Sequence, residues 1–285
     1  MSNPLAKIGA SMKNRIRGFL YTPGREWLAG ILATGYALVI KRKVARIFSD
    51  NGVWIHQYKE GTVTDRFINI SSLLADYTRN ARDWWFFNYQ PKAGDIIFDI
   101  GSGKGEDTYS FSKAVGRTGK VISIEAHPQT FQCLLKFCQY NNLANVIPLD
   151  VAICEKETEV TIDNPDCDLF STIVHSAGSG QKIQGASLDA LVLKLKVDTI
   201  DFIKMNIEGA ERMAIQGMTE CIKKTRYVCI SCHDFLEEKG GPKEMRTKEV
   251  VTRFLIENGF KIISRYSDKR PYIRDQVNAI NKRLS

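Results

Sequence analysis

The sequence predicts an α/β protein whose sheet is mostly parallel and is covered by helices on both faces. From residue 94 onward, short β-rich segments alternate with segments of helical periodicity, which is the pattern of parallel strands joined by crossover helices. Acidic residues and glycines also gather where the first predicted strands end, as expected for a ligand site at the carboxyl edge of such a sheet. We predict strands over residues 95–100, 120–125, 145–149, 199–207, 227–232 and 260–266, and helices over residues 106–115, 128–141, 209–219 and 244–258.

Turn-forming residues support these boundaries. Pro128 stands in the first turn of the second helix and Gly259 just beyond the end of the fourth, where each residue type is favoured. Residues 157–163 alternate with period two and predict an extra edge strand. Residues 164–185 are rich in Ser, Gly and Asp without a clear period, so we predict a long loop that walls the substrate site. Residues 270–283 could form a last strand or a helix, and we favour the strand.

The chain divides into a basic and apolar helical appendage over residues 1–50 and an α/β domain over residues 51–285. Residues 27–40 carry no charge, and as a helix they would reach only about 21 Å, short of a bilayer core of about 30 Å. Their helical spacing and basic flanks leave two alternatives open. Residues 13–48 form a helix in a membrane interface, or the helix packs on its own domain or on a dimer partner.

The charge of +8 is concentrated at the two ends of the chain. Residues 1–50 hold nine basic residues against two acids, and residues 261–285 hold seven against two. The middle of the chain is therefore acidic, which argues against a nucleic-acid groove and in favour of contact with an anionic membrane surface. Seven cysteines in a chain of this length indicate reduced thiols. We expect a cytoplasmic protein, at the inner face of the membrane if the appendage binds lipid.

The segment after the first core strand predicts a nucleoside site. An apolar run ends in Asp99 and is followed by Gly101, Ser102, Gly103 and Gly105, ahead of a helix. Glycine allows a ligand to approach the backbone closely. A dinucleotide site would have a further glycine at position 106, where this chain has a glutamate that would repel a pyrophosphate. S-adenosylmethionine carries no phosphate, and a strand-end acid suits its cationic groups, so the segment favours this cofactor over NAD.

Further polar residues follow the next three strands. Glu125 ends the second strand, twenty residues after Gly105, and can accept the two ribose hydroxyls. Asp150 follows the third strand and can accept the adenine amino group. Other candidate cofactor-binding residues at these strand ends are Ala126, His127, Val151 and Asn206.

Four motifs, in this order and spacing, resemble those of the FkbM-type S-adenosylmethionine-dependent methyltransferases: FDIGSGKG, ISIEAHP, LDVAI and IDFIKMNIEGAE. The resemblance covers roughly residues 83–266. It implies a Rossmann-like class I methyltransferase fold with seven strands, S-adenosylmethionine as cofactor, and methyl transfer to an oxygen of a sugar, a glycan or glycolipid, or a secondary metabolite. Asn206 departs from the family, which usually has an aspartate there, and an amide cannot act as a base.

His233 and Glu208 are the candidate catalytic residues. Both follow strands whose carboxyl ends are predicted to be neighbours, and histidine is the usual general base near neutral pH. We predict that His233 takes the acceptor proton and that Glu208 orients it or serves as the second candidate. His175, in the predicted long loop, is expected to touch substrate. Two other functions remain open: a non-catalytic cofactor-binding module, suggested by Asn206, and an NAD-dependent oxidoreductase.

Two other patterns have competing interpretations. Residues 229–233 spell C-x-x-C-H, but in a strand the two cysteines would point to opposite faces, and Cys133 and Cys138 diverge around a helix, so we predict neither a haem nor a zinc site. Residues 83–89 hold five aromatic side chains, which either fill the core beside the sheet or provide a stacking surface for a cofactor or sugar.

Overall fold

The computed structural model describes residues 24–43, 45–162, 173–174 and 181–284. The chain forms two compact units, the first ending at Leu74 and the second beginning at Ala75. The sequence places the boundary of the appendage at residue 50, which is the last residue of a strand in the first unit.

The first unit contains one described helix and a three-stranded antiparallel sheet: α1 (Glu26–Val39), β1 (Ala45–Asp50), β2 (Val53–Tyr58) and β3 (Gly61–Asp65). Small residues of α1 pack on β1, and a Cβ at Gly30 would lie 2.5 Å from the carbonyl oxygen of Ile47. The helix was predicted but the sheet was not, because residues 53–56 are buried without alternation, so the period-two signal is missing. Within the described residues, no helix has the length and apolar content needed to cross a bilayer.

The second unit alternates strands and helices along the chain. Its strands are β4 (Ile96–Ile100), β5 (Lys120–Ile124), β6 (Val146–Leu149), β7 (Ala152–Ile153), β8 (Thr158–Ile162), β9 (Ile173–Val174), β10 (Gln181–Ala186), β11 (Ile200–Met205), β12 (Thr225–Ser231), β13 (Phe260–Ile263) and β14 (Gln276–Asn281). Its helices are α2 (Leu74–Trp84), α3 (Glu106–Val115), α4 (Pro128–Tyr140), α5 (Leu188–Lys194), α6 (Glu211–Ala214), α7 (Asp234–Glu238), α8 (Lys248–Glu257) and α9 (Pro271–Arg274).

Seven strands form the central sheet in the order β13-β14-β12-β11-β4-β5-β6. The five strands from β12 to β6 are parallel, and β14 runs antiparallel to both of its neighbours. This confirms the predicted α/β class and the mostly parallel seven-stranded sheet. The chain order reverses between β4 and β11, so the carboxyl ends of these two strands open a crevice at the switch point of the sheet. Leu188, Ile203 and Ile230 are among the fully buried residues of the core around the sheet.

A second sheet of four strands has the order β7-β10-β8-β9. The predicted edge strand over residues 157–163 is therefore β8, a member of this separate sheet rather than of the central one. The predicted loop over residues 164–185 is wrong for residues 173–174, which form β9, and for residues 181–185, which form most of β10. Four of the six residues of β10 are not buried, so no apolar pattern marks it as a strand. Residues 164–172 and 175–180 of the predicted loop, including His175, lie outside the described residues.

The helix predicted over residues 209–219 is much shorter in the structure. It is confined to α6 and is followed by a 3₁₀ turn, Ile215–Gly217. Before it, Glu208 and Gly209 have positive φ angles of 51° and 94°, which are incompatible with a right-handed helix. After it, a Cβ at Gly217 would lie 2.1 Å from the carbonyl oxygen of Cys154. The segment after β11 is thus shaped by close packing around its turns.

Candidate active site

A cavity of about 650 Å³ lies at the carboxyl ends of β4, β5 and β11. Nine residues predicted from the sequence line it, namely Gly101, Ser102, Gly103, Glu125, Ala126, His127, Val151, Asn206 and Glu208. Tyr77, Asn80 and Trp84 of α2 also line it, and the sequence analysis did not assign them individually.

The glycines after β4 have different structural tasks. Gly101 has φ +71°, and a Cβ there would lie 2.0 Å from the backbone oxygen of Asn206, so this glycine lets the ends of β4 and β11 meet. Gly105 does not line the cavity, and its cofactor-binding role stays a prediction. A Cβ at Gly105 would lie 2.6 Å from the ring of Phe137, so this glycine permits close packing of α4.

Glu125 is held by two backbone amides. Its Oε2 accepts a hydrogen bond from Gly103 N at 2.9 Å and its Oε1 accepts one from His127 N at 2.8 Å. Burial raises the pKa of Glu125 to about 7, although these amide donors favour the ionised form. His127 in turn caps α4, because its Nδ1 accepts from Thr130 N at 3.3 Å. Glu125 is thus fixed beside the glycine turn with its carboxylate at the cavity.

Asp99 does not line the cavity, and its role at the positive end of a cofactor stays a prediction. Its carboxylate is fully buried and is engaged by the protein's own groups: Lys204 Nζ lies 2.9 Å from Oδ1, and Thr108 Oγ1 donates to Oδ2 at 2.6 Å. Lys204 Nζ also donates to Gly101 O at 2.7 Å. Asp99 therefore anchors a buried cation under the glycine turn.

Lys204 and Asp107 are two charged residues of the site that were not predicted from the sequence. Both line the cavity, with Lys204 Nζ 3.6 Å from Asp107 Oδ2. Burial disfavours the cation, but Asp99 and Asp107 outweigh it and the pKa of Lys204 is raised. Burial raises the pKa of Asp107 to about 6, against the opposing effect of Lys204. A lysine in the middle of a central strand was a usable signal, because such a residue is buried only with partners.

Two polar atoms of the cavity-lining residues lack a partner. Asn206 Oδ1 and Ser102 Oγ are buried, and neither has a hydrogen-bond partner among the described residues. An unsatisfied buried polar group costs about 1–3 kcal/mol. A ligand that brings polar or cationic groups to these atoms would therefore be stabilised by them.

His233 and Glu208 are in contact, as their predicted roles require. His233 Nε2 lies 3.2 Å from Glu208 Oε2, and His233 Nδ1 lies 3.7 Å from Glu211 Oε1. Burial disfavours the imidazolium, but the two carboxylates outweigh it and raise the pKa of His233 to about 10. Only Glu208 lines the cavity. The raised pKa favours the imidazolium form at neutral pH, whereas a general base needs the neutral ring, so the catalytic role of His233 stays a prediction.

The third strand and the aromatic segment place only some of their residues at the cavity. Val151 lines the cavity, whereas Asp150 is exposed and does not, because it lies past the end of β6 and faces solvent. In the aromatic segment the core interpretation holds for two residues, and the stacking role of a third stays a prediction. Trp85 and Tyr89 are buried in the core, with Tyr89 stacked on Phe202 at 4.5 Å, while Trp84 lines the cavity.

The C-x-x-C-H segment belongs to the core. Cys229 and Cys232 are fully buried, and burial raises the pKa of each thiol. The thiols are therefore held in their neutral, weakly nucleophilic form.

Comparison with known proteins gives these motifs a family. The chain is 23% identical over 177 residues to the hexuronic acid methyltransferase AglP of Haloferax volcanii, covering 61% of this chain and 72% of that protein. It is 38% identical over 55 residues to a catalytic subunit of a tRNA (adenine(58)-N(1))-methyltransferase, TRM61, of Cryptococcus neoformans, which is 19% of this chain and 13% of that one.

Among solved structures, the methyltransferase FkbM of Methylobacillus flagellatus aligns with a TM-score of 0.49 and 16% identity over 74% of this chain. The aligned part is about half of that protein's length, 51%. The family model of the methyltransferase FkbM domain matches residues 99–262, which is more than half of the chain. The chain therefore belongs to the FkbM-domain methyltransferase family.

Proposed function

We propose that this methyltransferase transfers the methyl group of S-adenosylmethionine to a hydroxyl oxygen of a sugar, a glycan or glycolipid, or a secondary metabolite. S-adenosylmethionine is the cofactor of the family. The observation that carries the proposal is the acidic lining of the cavity at the strand ends. Three of its lining residues, Glu106, Asp107 and Glu125, are carboxylates that surround the glycine turn.

The residues of the cavity fit this cofactor better than a dinucleotide. Glu106 and Asp107 occupy the first turn of α3, the position at which a dinucleotide site needs free amides for its pyrophosphate. Asn206 Oδ1 and Ser102 Oγ are acceptors in need of donors, and the amino group of S-adenosylmethionine supplies such donors. Glu125 is held where its free lone pairs can accept the ribose hydroxyls. We therefore assign cofactor binding to the glycine turn together with Glu125 and Asn206.

Glu208, rather than His233, is the group that we propose accepts the acceptor proton. When bound, the cofactor supplies a methyl carbon that its sulfonium already activates. The glycine turn, Glu125 and Asn206 would hold the cofactor, and Glu208 would take the proton that the acceptor hydroxyl gives up. His233 stays protonated and holds the carboxylate in place from behind. Orientation of the reacting groups and a positioned base are two ways in which a methyltransferase site can accelerate the reaction.

A sugar acceptor is supported by the aromatic wall and by the relative. Trp84 lines the cavity and lies against Tyr272, with ring centroids 5.5 Å apart. The two rings meet edge to face at 67°, so the sugar-binding surface is the Trp84 ring alone, and the face of an aromatic ring suits the apolar face of a sugar. The relative AglP is described as a hexuronic acid methyltransferase, and a uronic acid offers both hydroxyl and carboxylate oxygens.

Calorimetric titration separates the cofactor alternatives. S-adenosylhomocysteine is expected to bind the full chain, and NAD is not. The matched control is Asp150→Asn, which changes an exposed strand-end acid outside the cavity and should leave the binding constant unchanged. Binding of NAD instead of S-adenosylhomocysteine would refute the proposal and favour the oxidoreductase.

A radiolabelled methyl assay against glycan, lipid and protein fractions of the cell envelope tests the reaction. Label is expected in the glycan or glycolipid fraction, and a methyl ether survives mild alkali whereas a methyl ester releases methanol. Alkali-labile label would assign the acceptor to a carboxylate. A protein that binds S-adenosylhomocysteine but labels no fraction would favour the non-catalytic module that Asn206 suggests.

A further inference from the structure

Helix α1 places its small residues inside and its large apolar residues outside. Ala29, Gly30, Ala33 and Ala37 are buried, and the amide of Ile47 in β1 donates to Thr34 Oγ1 at 2.9 Å. A helix of a soluble domain ordinarily turns its large apolar side chains to the core. The reversed arrangement in α1 means that packing on β1 does not account for the large apolar side chains.

The outward face of α1 is a continuous apolar surface. Trp27, Ile31 and Val39 are 65%, 61% and 74% exposed, and at 100° per residue they lie on one side of the helix. The other large apolar residues exposed in and directly after this helix are Leu32, Tyr36, Leu38 and Ile40. A contiguous exposed patch of seven large apolar side chains marks a site of interaction with a partner or a membrane.

Positive charge flanks this face at both ends. Arg25 precedes the helix, Lys41 and Arg42 follow it, and all three are exposed. Residues 26–39 contain a single charged residue, Glu26, and residues 1–43 hold eight basic residues against that one acid. Two copies that met through this face would bring basic ends together in either orientation, which is unfavourable. An anionic surface satisfies both ends at once.

We propose that the outward face of α1 docks the protein on an anionic lipid bilayer. The helix lies parallel to the surface, with Trp27, Ile31 and Val39 at the boundary between headgroups and acyl chains. Arg25, Lys41 and Arg42 contact the anionic headgroups. A helix that lies along the surface holds the protein there, which would bring it to acceptors that are attached to lipid.

Vesicle sedimentation of the full chain tests this assignment. The wild-type protein is expected to sediment with vesicles containing phosphatidylglycerol, and less with phosphatidylcholine alone or at high salt. The triple substitution Trp27→Gln, Ile31→Gln and Val39→Gln should lower the partition constant by at least about a hundredfold, since each buried apolar side chain contributes roughly tenfold. The control Leu193→Gln, at an 80% exposed position in α5, should sediment like the wild type.

Two further measurements decide between outcomes. Circular dichroism and the melting temperature establish that the triple variant is folded, and quenching of Trp27 by brominated lipid, absent in Trp27→Phe, locates the helix at the acyl boundary. Wild-type protein that stays in the supernatant with anionic vesicles, or a folded triple variant that still sediments, overturns the proposal. A dimer that these substitutions dissociate, without vesicle binding, assigns the face to a second copy and overturns it as well.

Discussion

Replacing Lys204 by methionine removes a buried cation that lies beneath the glycine turn. Methionine keeps an unbranched apolar side chain as far as Cε and lacks only the ammonium group, so the loss is mainly electrostatic. Asp99, fully buried, is then left with Thr108 as its remaining hydrogen-bond donor, while Gly101 O loses its 2.7 Å bond to Lys204. We expect a marked loss of stability in the second unit, because an unpaired buried charge is strongly unfavourable.

The size of the loss of stability is limited, because the Asp99 carboxylate can take up a proton and become neutral. A carboxylate with an ordinary pKa of about 3.9 can become neutral at pH 7 at a cost of about 4 kcal/mol, and at pH 5 at a cost of about 1.5 kcal/mol. The lost hydrogen bond to Gly101 adds about 1 kcal/mol. The free energy of unfolding should therefore fall by about 5 kcal/mol at pH 7 and by about half of that at pH 5.

Urea denaturation followed by circular dichroism at the two pH values measures both numbers. The control Lys261→Met, at an exposed position in β13, should change the free energy of unfolding by less than about 0.5 kcal/mol. The double variant Lys204→Met, Asp99→Asn should be more stable at pH 7 than the single variant, because the charge has been removed with its partner. A loss below about 1 kcal/mol at pH 7, or a loss independent of pH, would refute the reasoning.

Three further predictions concern the same unit. NMR titration should find His233 still protonated at pH 8, and its pKa should be lower in Glu208→Gln. Because the pKa of His233 is raised in the folded state, its stabilising effect is full below about pH 6.5 and is lost as the pH rises through about 10. A wild-type pKa near the ordinary value contradicts the ion pair. The pKa of Glu125 is raised too, so its contribution to stability is full below about pH 4.5 and is lost as the pH rises to about 7. The wild-type protein should therefore gain stability relative to Glu125→Gln as the pH falls from 7 to 5. Parallel melting curves of the two proteins would exclude this. Gly105→Ala should lower the melting temperature far more than Gly116→Ala. Both glycines have a positive φ angle, but only a Cβ at Gly105 would collide with a neighbouring ring. Equal losses would leave backbone strain as the sole cause.

The central sheet was predictable because its strands are short, apolar and separated by well-marked turns. The predicted and observed bounds of β4, β5 and β6 differ by no more than one residue at either end. The first-unit sheet and β10 were missed for opposite reasons. β2 is buried over four consecutive residues, while β10 is mostly exposed, so neither shows the alternation from which a half-buried strand is recognised.

The candidate site was predicted best where backbone geometry sets the requirement. Gly101 and Glu125 follow from a turn that needs close approach and from an acid at a strand end. The states of Asp99 and His233 were not predictable in the same way, because each depends on a side chain distant in sequence. Lys204 is 105 positions from Asp99, and Glu208 is 25 positions from His233. Spacing along the chain does not reveal which charges face each other across parallel strands.

The side chain at position 206 affects both the charge balance of the cavity and its preference among cofactors. Lys204 is surrounded by Asp99, Asp107 and Glu125, whose charges all raise its pKa, so the cavity already has more carboxylates than cations. An aspartate at position 206 would add one more and oppose ionisation of its neighbours. The amide keeps an acceptor oxygen at the cavity without that repulsion.

We therefore expect Asn206→Asp to shift the cofactor preference. A carboxylate beside a sulfonium adds attraction for S-adenosylmethionine that neutral-sulfur S-adenosylhomocysteine does not receive, and the ratio of their binding constants should rise by roughly tenfold on the scale of a partly screened ion pair. The ligand-free variant should melt at a lower temperature than the wild type, because the new charge is buried among like charges. Calorimetric titration with both compounds measures the ratio, and Asp150→Asn serves as the control. A ratio that does not change would mean that Asn206 does not face the sulfonium, and the cofactor would have to lie in the cavity in another orientation.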